Sequence, residues 1–205
     1  MSEARTIVVV SGGLSQPSST RLLADRLAQA TVAHLLTAGV GAEVHVIDLR
    51  DLAQDITNNL LTGFASPALA TEIGHLTDSD GAIFVTPIYT TSYSGLFKSF
   101  IDVLEPDALA ALPVLLGATG GTERHSLALD YAMRPLFVYL HATVASTAVY
   151  AASADWGSSG TASTGRLPGR IERAAGEFAA LVRAGDRSAR VRDPFALPAG
   201  FSPAG

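Results

Sequence analysis

The sequence predicts an α/β protein built on a parallel sheet of five strands. Five short apolar runs alternate with segments of helical periodicity, and loops rich in Gly, Ser, Thr and Tyr follow three of those runs. Continuous apolar runs are typical of strands that are covered on both faces. Strands that alternate with helices form right-handed βαβ units and therefore a parallel sheet. The predicted strands are residues 6–10, 42–49, 81–86, 113–118 and 142–150.

Helical spacing of apolar residues predicts the connecting segments. The predicted helices are residues 21–36, 67–77, 95–105, 126–140 and 167–184. Residues 51–64 are polar and contain Asn58, Asn59 and Gly63, so we expect a loop there. Residues 151–166 form a long Gly/Ser/Thr segment that holds the only tryptophan, Trp156. Long loops of this kind are uncommon in compact domains, and this one is interpreted as a lid, an interface arm or a disordered piece.

Composition limits the classes of function. A chain of 205 residues with 48% hydrophobic residues suits a single domain, assigned to residues 1–184, with a flexible tail at 185–205. The net charge of −5 is spread along the chain, which argues against nucleic acid or an anionic membrane as a partner. No cysteine is present, so disulfides and thiol catalysis are excluded, and a reducing cytoplasm is the expected location. No signal peptide or membrane span is recognisable in the sequence.

The loop after the first strand has the chemistry of an anion site. Gly12 and Gly13 allow a sharp turn, and the helix that follows contributes free N–H groups and the positive end of its dipole. The loop hydroxyls belong to Ser11, Ser15, Ser18, Ser19 and Thr20. Neither a dinucleotide G-x-G-x-x-G motif nor a P-loop is present, which leaves a pocket for one phosphate monoester. An ordinary βα turn with a serine N-cap remains the alternative.

Two further loops follow the third and fourth predicted strands. We expect the second loop to hold a flat heteroaromatic ring through Pro87, Ile88, Tyr89 and Ser92, and the third to approach it through Thr119, Gly120 and Gly121. In the flavodoxin-like strand order 2-1-3-4-5, the first, third and fourth strands are neighbours, and ligands bind beyond their carboxyl ends. The alternatives are a helix entry capped by Ser94 and an ordinary glycine turn.

The remaining residues indicate no hydrolytic or metal apparatus. The five histidines are scattered without ligand spacing, so we expect no metal site. A G-x-S-x-G elbow is also absent. A site without an evident acid, base or nucleophile is typical of chemistry that a cofactor carries.

Three segments together resemble the NADPH-dependent FMN reductase family. They are SGGLSQPSSTRLLA, TPIYTTSYSGLFKSFIDVLEP and ATGGTERHSLALDYAMRPLFVYLHA, and the resemblance covers roughly residues 5–150. Within that family the sequence is most similar to flavin reductases of two-component monooxygenase systems. The resemblance implies that the first loop holds the FMN phosphate, that the P-x-Y loop holds the isoalloxazine and that the TGG loop borders the flavin.

The resemblance implies an NAD(P)H:FMN oxidoreductase with no catalytic side chain of its own, because hydride transfer depends on positioning. It also implies that reduced FMN passes to a separate luciferase-like monooxygenase. Arg124 is a candidate contact for the 2′-phosphate of NADPH, with a solvated arginine as the alternative. An enzyme that retains FMN and reduces a quinone or azo dye, and a flavodoxin-like electron carrier, remain alternatives.

Two features concern affinity and assembly. Many members of the family have Arg where Ser15 stands, which implies a weaker grip on the phosphate here. In flavin-transferring members a Tyr at the position of Tyr131 accompanies a π-helical bulge at a subunit interface; an ordinary interface or core aromatic is the alternative. The predicted helix 126–140 is apolar on more than one face, so we expect a homodimer or homotetramer.

Overall fold

Strands and helices alternate along almost the whole of the described chain. The structure is a computed structural model, and it describes residues 4–156 and 167–185. The strands are β1 (Arg5–Ser11), β2 (Ala42–Asp48), β3 (Gly81–Tyr89), β4 (Ser92–Tyr93), β5 (Pro113–Gly120), β6 (Thr143–Val144) and β7 (Val149–Ala152). The α-helices are α1 (Ser19–Thr37), α2 (Ala53–Thr62), α3 (Pro67–Asp78), α4 (Gly95–Asp102), α5 (Arg134–Tyr139) and α6 (Leu167–Ala184). Short 3₁₀ segments lie at Glu123–His125 and Ser153–Asp155, and a π-helical segment spans Leu129–Met133.

The sheet has the predicted order. Its strands run β2-β1-β3-β5-β6, and β7 also pairs with β5. These pairings are all parallel, whereas β4 folds back antiparallel on the end of β3. The five predicted strands correspond to β1, β2, β3, β5 and the pair formed by β6 and β7. The predicted flavodoxin-like α/β fold is therefore confirmed, with seven strands rather than five among the described residues.

Neighbouring residues of the central strands pack on opposite faces of the sheet. Ile7 and Val9 of β1 join a buried cluster with residues of α1 and α6. Val8 and Val10 join a second cluster with residues of α3, α4 and α5. Successive side chains of a strand point to opposite faces, so helices on both sides require apolar residues at every position. This arrangement explains why the central strands appear in the sequence as continuous apolar runs.

The prediction of a loop at residues 51–64 was wrong, because α2 lies there. Ile56 is the only buried residue of α2, and the turn-forming residues Asn58, Asn59 and Gly63 concealed the helical spacing of Ile56 and Leu60. Gly63 adopts a left-handed φ of 77° just after the last turn, and its N–H donates to Asn59 O at 2.8 Å. The glycine that suggested a loop is thus the residue that terminates the helix.

The fifth predicted strand, residues 142–150, is interrupted. β5 advances from Val114 to Gly117 while its partner advances from Val144 to Val149, so two extra residues loop out between β6 and β7. Side chains form hydrogen bonds with the backbone groups that the interruption leaves without a strand partner. Arg134 donates to Ala145 O at 2.9 Å, and Glu177 of α6 accepts the Thr147 N–H at 2.9 Å. The interruption is therefore a supported bulge, and an apolar sequence run gave no sign of it.

The prediction of one regular α-helix at residues 126–140 was wrong in its geometry, although the segment is helical from residue 128 to 139. A π-helical segment at Leu129–Met133 leads into the short helix α5. Pro135 lacks the N–H that would bond to the carbonyl of Tyr131, which interrupts the α-helical ladder at this point. The π-helical bulge that the resemblance implied at Tyr131 is confirmed, and the Tyr131 side chain is 79% exposed in the single chain. A core role for this residue is thereby excluded.

Only the first part of the predicted loop 151–166 is described. Residues 151–152 complete β7, and the Asp155 carboxylate accepts the Ala152 N–H at 2.8 Å and Arg170 of α6 at 2.8 Å. Residues 157–166 of that loop and 186–205 of the predicted tail lie outside the described residues. Of the helices in the described ranges, none is long and apolar enough to cross a membrane.

Candidate active site

The three predicted loops converge at the carboxyl edge of the sheet. Ser11 at the end of β1 is in register with Val85 of β3, and Pro87 of β3 is in register with Thr119 of β5. Since β3 lies between β1 and β5, the loops that follow these strands start side by side. The structure thus brings together the predicted phosphate, ring and border residues, while their role as FMN contacts stays a prediction.

The first loop is shaped by the start of α1. Ser18 is the N-cap, and its hydroxyl accepts the Arg21 N–H at 3.2 Å. A Cβ on Gly13 would lie 2.2 Å from Ser18 Oγ, so a side chain at this position cannot coexist with the cap. A cleft of about 280 Å³ opens here, lined in part by Gly13, Ser15 and Ser18. Ser15 and Ser19 are exposed, which leaves their hydroxyls available to a ligand.

Ser11 carries an unsatisfied polar atom at the base of this loop. Its side chain is fully buried, and within the described part of the chain its Oγ has no hydrogen-bond partner. The backbone around it is paired, because Leu49 N–H donates to Ser11 O at 3.0 Å and Gly12 N–H donates to Val85 O at 2.8 Å. A buried hydroxyl without a partner costs about 1–3 kcal/mol. Together with the open glycine turn and the helix N-terminus, it fits the phosphate of FMN.

Thr20 links the first loop to the third. Its Oγ1 lies 2.8 Å from Thr119 Oγ1, and both residues are buried. The hydroxyl of Thr20, predicted to contact phosphate, is therefore engaged with a residue predicted to border the flavin. What Thr20 still offers a ligand is its backbone N–H in the first turn of α1.

The second loop is a tight hairpin. Ile88 pairs with Tyr93 and Tyr89 with Ser92, so the predicted ring contacts Tyr89 and Ser92 lie opposite each other. The two residues of the turn, Thr90 and Thr91, both have positive φ, at 47° and 69°. Pro87 and Ile88 are buried, whereas Tyr89 is 49% exposed and is the aromatic side chain of this group that is accessible to a ligand.

The third loop is braced from β7. Tyr150 OH donates to Thr122 O at 2.7 Å, and burial raises the pKa of Tyr150. A Cβ on Gly120 would lie 2.0 Å from Tyr150 OH, whereas a Cβ on Gly121 would meet nothing within 4 Å. Glycine at position 120 therefore makes room for the brace. Arg124 lies on the exposed 3₁₀ turn beyond this loop, and no contact of the structure tests its proposed NADPH role.

Sequence reasoning missed Arg21 as a cation in the cleft at the first loop. Its Nε donates to Asp25 at 2.8 Å, and a terminal nitrogen contacts Asp48 at the end of β2. The pKa of Arg21 is raised, chiefly by its hydrogen bond to Asp25 and further by Asp48. The four-residue spacing of Arg21 and Asp25 was a visible signal of their pairing. The contribution of Asp48 depends on the neighbouring strand and could not be detected from spacing.

The charge of the cleft is not cationic. Arg21 and Arg50 line it together with three carboxylates, those of Asp25, Asp48 and Asp51. Because Arg21 is bonded to two of these carboxylates, little of its positive charge is available to a phosphate. The donors that remain are hydroxyls, backbone N–H groups and the exposed Arg50, which lines the same cleft.

This sheet order, with a hydroxyl-rich loop and a helix N-terminus at its carboxyl edge, defines a flavodoxin-like protein. Residues 5–157 match the model of the family described as NADPH-dependent FMN reductase. The chain belongs to the NADPH-dependent FMN reductase family. It is accordingly an oxidoreductase of a family that uses FMN with NAD(P)H.

Individual relatives agree with this assignment. The chain is 34% identical over 183 residues to the NADH-dependent FMN reductase SfnE of Pseudomonas putida, covering 88% of this chain and 96% of the relative. It is 38% identical over 150 residues to an FMN reductase (NADPH) of Pseudomonas aeruginosa, covering 73% and 78% of the two chains. An X-ray structure of an oxidoreductase from Corynebacterium diphtheriae superimposes with a TM-score of 0.86 at 42% identity, covering 90% of this chain and 100% of the other.

Proposed function

We propose that this protein reduces FMN with NADPH or NADH and releases the reduced FMN to a separate flavin-dependent monooxygenase of the luciferase-like type. The cytoplasm, which supplies the nicotinamide nucleotide, is the proposed location. The observation that favours release of FMN over its retention is the pairing of Arg21 with two carboxylates in the cleft at the first loop. The relatives support the same direction, because their names describe FMN as the compound that is reduced.

The chain's own residues bind and orient in this proposal. The phosphate is held by the hydroxyls of Ser11, Ser15, Ser18 and Ser19, and by the first-turn N–H groups of α1, including that of Thr20. Bound FMN supplies the redox chemistry by accepting a hydride from the nicotinamide. Holding two reactants in a reactive geometry is the main catalytic contribution of such a site.

The ring end of the site is assigned to the second and third loops. Pro87, Ile88, Tyr89 and Ser92 would orient the flavin ring, and the backbone of Thr119, Gly120 and Gly121 would border it. Tyr89 is half exposed, so its ring is free to line one side of the flavin. Thr119 belongs to both ends of the site, because its bond to Thr20 fixes the ring border relative to the phosphate loop.

The electrostatic argument for release rests on a difference in hydrogen-bond strength. An arginine or lysine that donates to a phosphate adds the attraction of a full opposite charge, which a neutral hydroxyl or amide donor lacks. At the first loop itself the donors are neutral hydroxyls and amides, and the two arginines of the cleft lie among three carboxylates. We therefore expect a moderate affinity for FMN, which a protein that hands on its flavin requires.

Flavin retention and electron-acceptor requirements test the proposal. We expect protein that purifies mostly colourless and whose NADPH or NADH oxidation saturates with added FMN without a quinone or dye. Stopped-flow mixing of reduced, FMN-loaded protein with an FMN-binding acceptor should show transfer. Stoichiometric FMN after dialysis, with oxidation that requires a quinone or azo dye, would instead establish the retaining enzyme. Failure to oxidise either nucleotide, with tight FMN, would establish the electron carrier.

Two substitutions test the electrostatic argument separately. Ser15→Arg adds a cation to the loop, and Asp48→Asn removes a carboxylate partner of Arg21. Both should tighten FMN in a calorimetric titration. Riboflavin is the matched control ligand, because it has the ring without the phosphate, and its affinity should not change. Equal effects on the two flavins would remove the phosphate-cleft assignment.

We further propose that the chain assembles as a homodimer or homotetramer through the π-helical region. Large apolar side chains are exposed there in the single chain, namely Leu127, Tyr131, Val138 and Tyr139. Exposed apolar groups that cluster in this way are typical of protein interfaces. Sedimentation of wild type and of Tyr131→Asp checks it: we expect an oligomer that Tyr131→Asp weakens. A wild-type monomer at micromolar concentration would contradict this assembly.

A further inference from the structure

One face of β2 carries His45 between the exposed Glu43 and the buried Ile47. His45 lies on the same side of the strand as Ile47, which is buried against the cluster that includes Leu69 and Leu76 of α3. β2 is the edge strand of the sheet, and α3 packs over its face. His45 is therefore half-buried between the sheet edge and α3.

α3 presents two further ligand groups to His45. Glu72 and His75 are three residues apart, so they lie on one face of the helix. Glu72 Oε2 lies 2.6 Å from His45 Nε2, and the ring centroids of His45 and His75 are 4.4 Å apart. One ligand atom from each residue lies within 4.8 Å of the other two. Folding thus gathers three groups that sequence spacing showed as scattered.

We propose that His45, Glu72 and His75 form a binding site for a divalent transition-metal ion of the Zn²⁺ class, with water in the fourth position. Imidazole and carboxylate are ligands of Zn²⁺, with bonds of about 2.0–2.2 Å, so two ligand atoms of a tetrahedral ion lie roughly 3.3 Å apart. Metal binding would require side-chain rotations that bring the three atoms, which lie within 4.8 Å of one another, to that spacing. Zn²⁺ would replace the direct His45–Glu72 contact with two bonds to the metal.

The proposed site is separate from the flavin cleft and joins two elements. His45 precedes Asp48, which lines the cleft, by three residues of extended chain, or roughly 10 Å. Its ligands come from β2 and α3, so a bound ion would fasten the helix to the edge strand. A ligand that binds only the folded state stabilises it. Metal binding should therefore appear as thermal stabilisation without direct participation in hydride transfer.

Zinc titration of the apoprotein, full-length and free of any affinity tag, tests the site. We expect one Zn²⁺ per chain in calorimetry and a higher melting temperature with ZnCl₂ in wild type. His75→Gln is the most informative variant, because it removes an exposed ligand and leaves the His45–Glu72 contact intact. Loss of an outer-shell group alone lowers metal affinity about 10–100-fold, so loss of a ligand should cost at least that. His45→Gln should have the same effect.

The matched control is His141→Asn. His141 is exposed and lies apart from the cluster, and its positive φ of 58° is one that Asn tolerates. This variant should bind Zn²⁺ like wild type. Co²⁺ should give the visible absorption of a tetrahedral complex with wild type and with His141→Asn, but not with His75→Gln. Unchanged circular dichroism and FMN titration would show that each variant is folded. No stoichiometric binding by wild type, or equal binding by His75→Gln, would overturn the proposal.

Discussion

Gly13 and Gly120, one from each glycine pair of the candidate site, are crowded by different parts of the chain. A Cβ on Gly13 would collide with Ser18 Oγ, which belongs to the same loop. A Cβ on Gly120 would collide with Tyr150 OH, which comes from β7. The first loop is thus shaped by its own sequence, whereas the third is shaped by a strand that joins the sheet later in the chain. Neighbouring residues in the sequence can therefore predict the shape of the first loop but not that of the third.

The largest effect is expected for Gly13→Ala. Its methyl group would displace the Ser18 cap and close the turn against a phosphate. Hydrogen bonds to charged groups contribute about 1.5–3 kcal/mol, so FMN should bind roughly 10–150-fold more weakly. Titration calorimetry with FMN and riboflavin measures this. Gly12→Ala is the adjacent control, because its nearest contacts would lie at 3.4 Å, and it should retain most of the affinity. Equal losses in the two variants would show that the cap does not shape the site.

Gly120→Ala should break the brace of the third loop. The added methyl group would push Tyr150 OH away from Thr122 O, which costs about 1–2 kcal/mol of unfolding free energy. Gly121→Ala is the control, since a Cβ there meets nothing within 4 Å. Urea denaturation measures a double-mutant cycle of Gly120→Ala with Tyr150→Phe. The two losses of unfolding free energy should be non-additive, because both changes remove the same hydrogen bond. Additive effects would mean that the hydroxyl is not what Gly120 accommodates.

Ser11→Ala should separate stability from binding. It removes the buried hydroxyl that has no partner within the described residues, so the free protein should be unchanged or more stable, by up to about 1 kcal/mol. FMN affinity should fall by a similar amount, because the proposed phosphate donor is lost. Thermal unfolding with and without FMN measures both signs at once. Loss of stability in the free protein would show that Ser11 is already satisfied.

The smallest effect is expected at the bulge between β6 and β7, where Thr147 bonds to Glu177 of α6. Hydrogen bonds from the side chain and backbone of Thr147 lower the pKa of Glu177. A lowered pKa in the folded state means that this stabilisation is complete above the pKa of the unfolded chain and disappears as pH falls through the folded value. Thr147→Val keeps the backbone bond only, so its acid unfolding should begin at slightly higher pH. Circular dichroism during acid titration checks this, and in a Glu177→Gln background the shift should vanish.

The same contrast explains what sequence could and could not predict. The strands, their order and the hydroxyl-rich first loop follow from apolar runs and neighbouring residues. Helix α2 was not predicted because its asparagines and Gly63, which are typical of turns, outweighed the helical spacing of Ile56 and Leu60. The pairing of Arg21 with Asp48, the support of Gly120 by Tyr150 and the gathering of His45 with His75 all depend on which elements become neighbours. Those contacts require the folded sheet, and no local pattern encodes them.

The hydrogen bond between Thr20 and Thr119 also has a consequence for the order of folding. Its two residues are 99 positions apart in the chain, so it closes one of the long loops of the structure. Contacts of large sequence separation form late, because the loss of chain entropy must precede the energy they provide. We expect β1 and α1 to meet early, whereas the two ends of the pocket can reach their final distance only after β5 has joined β3. A chain arrested before that step would have a phosphate loop and no flavin site.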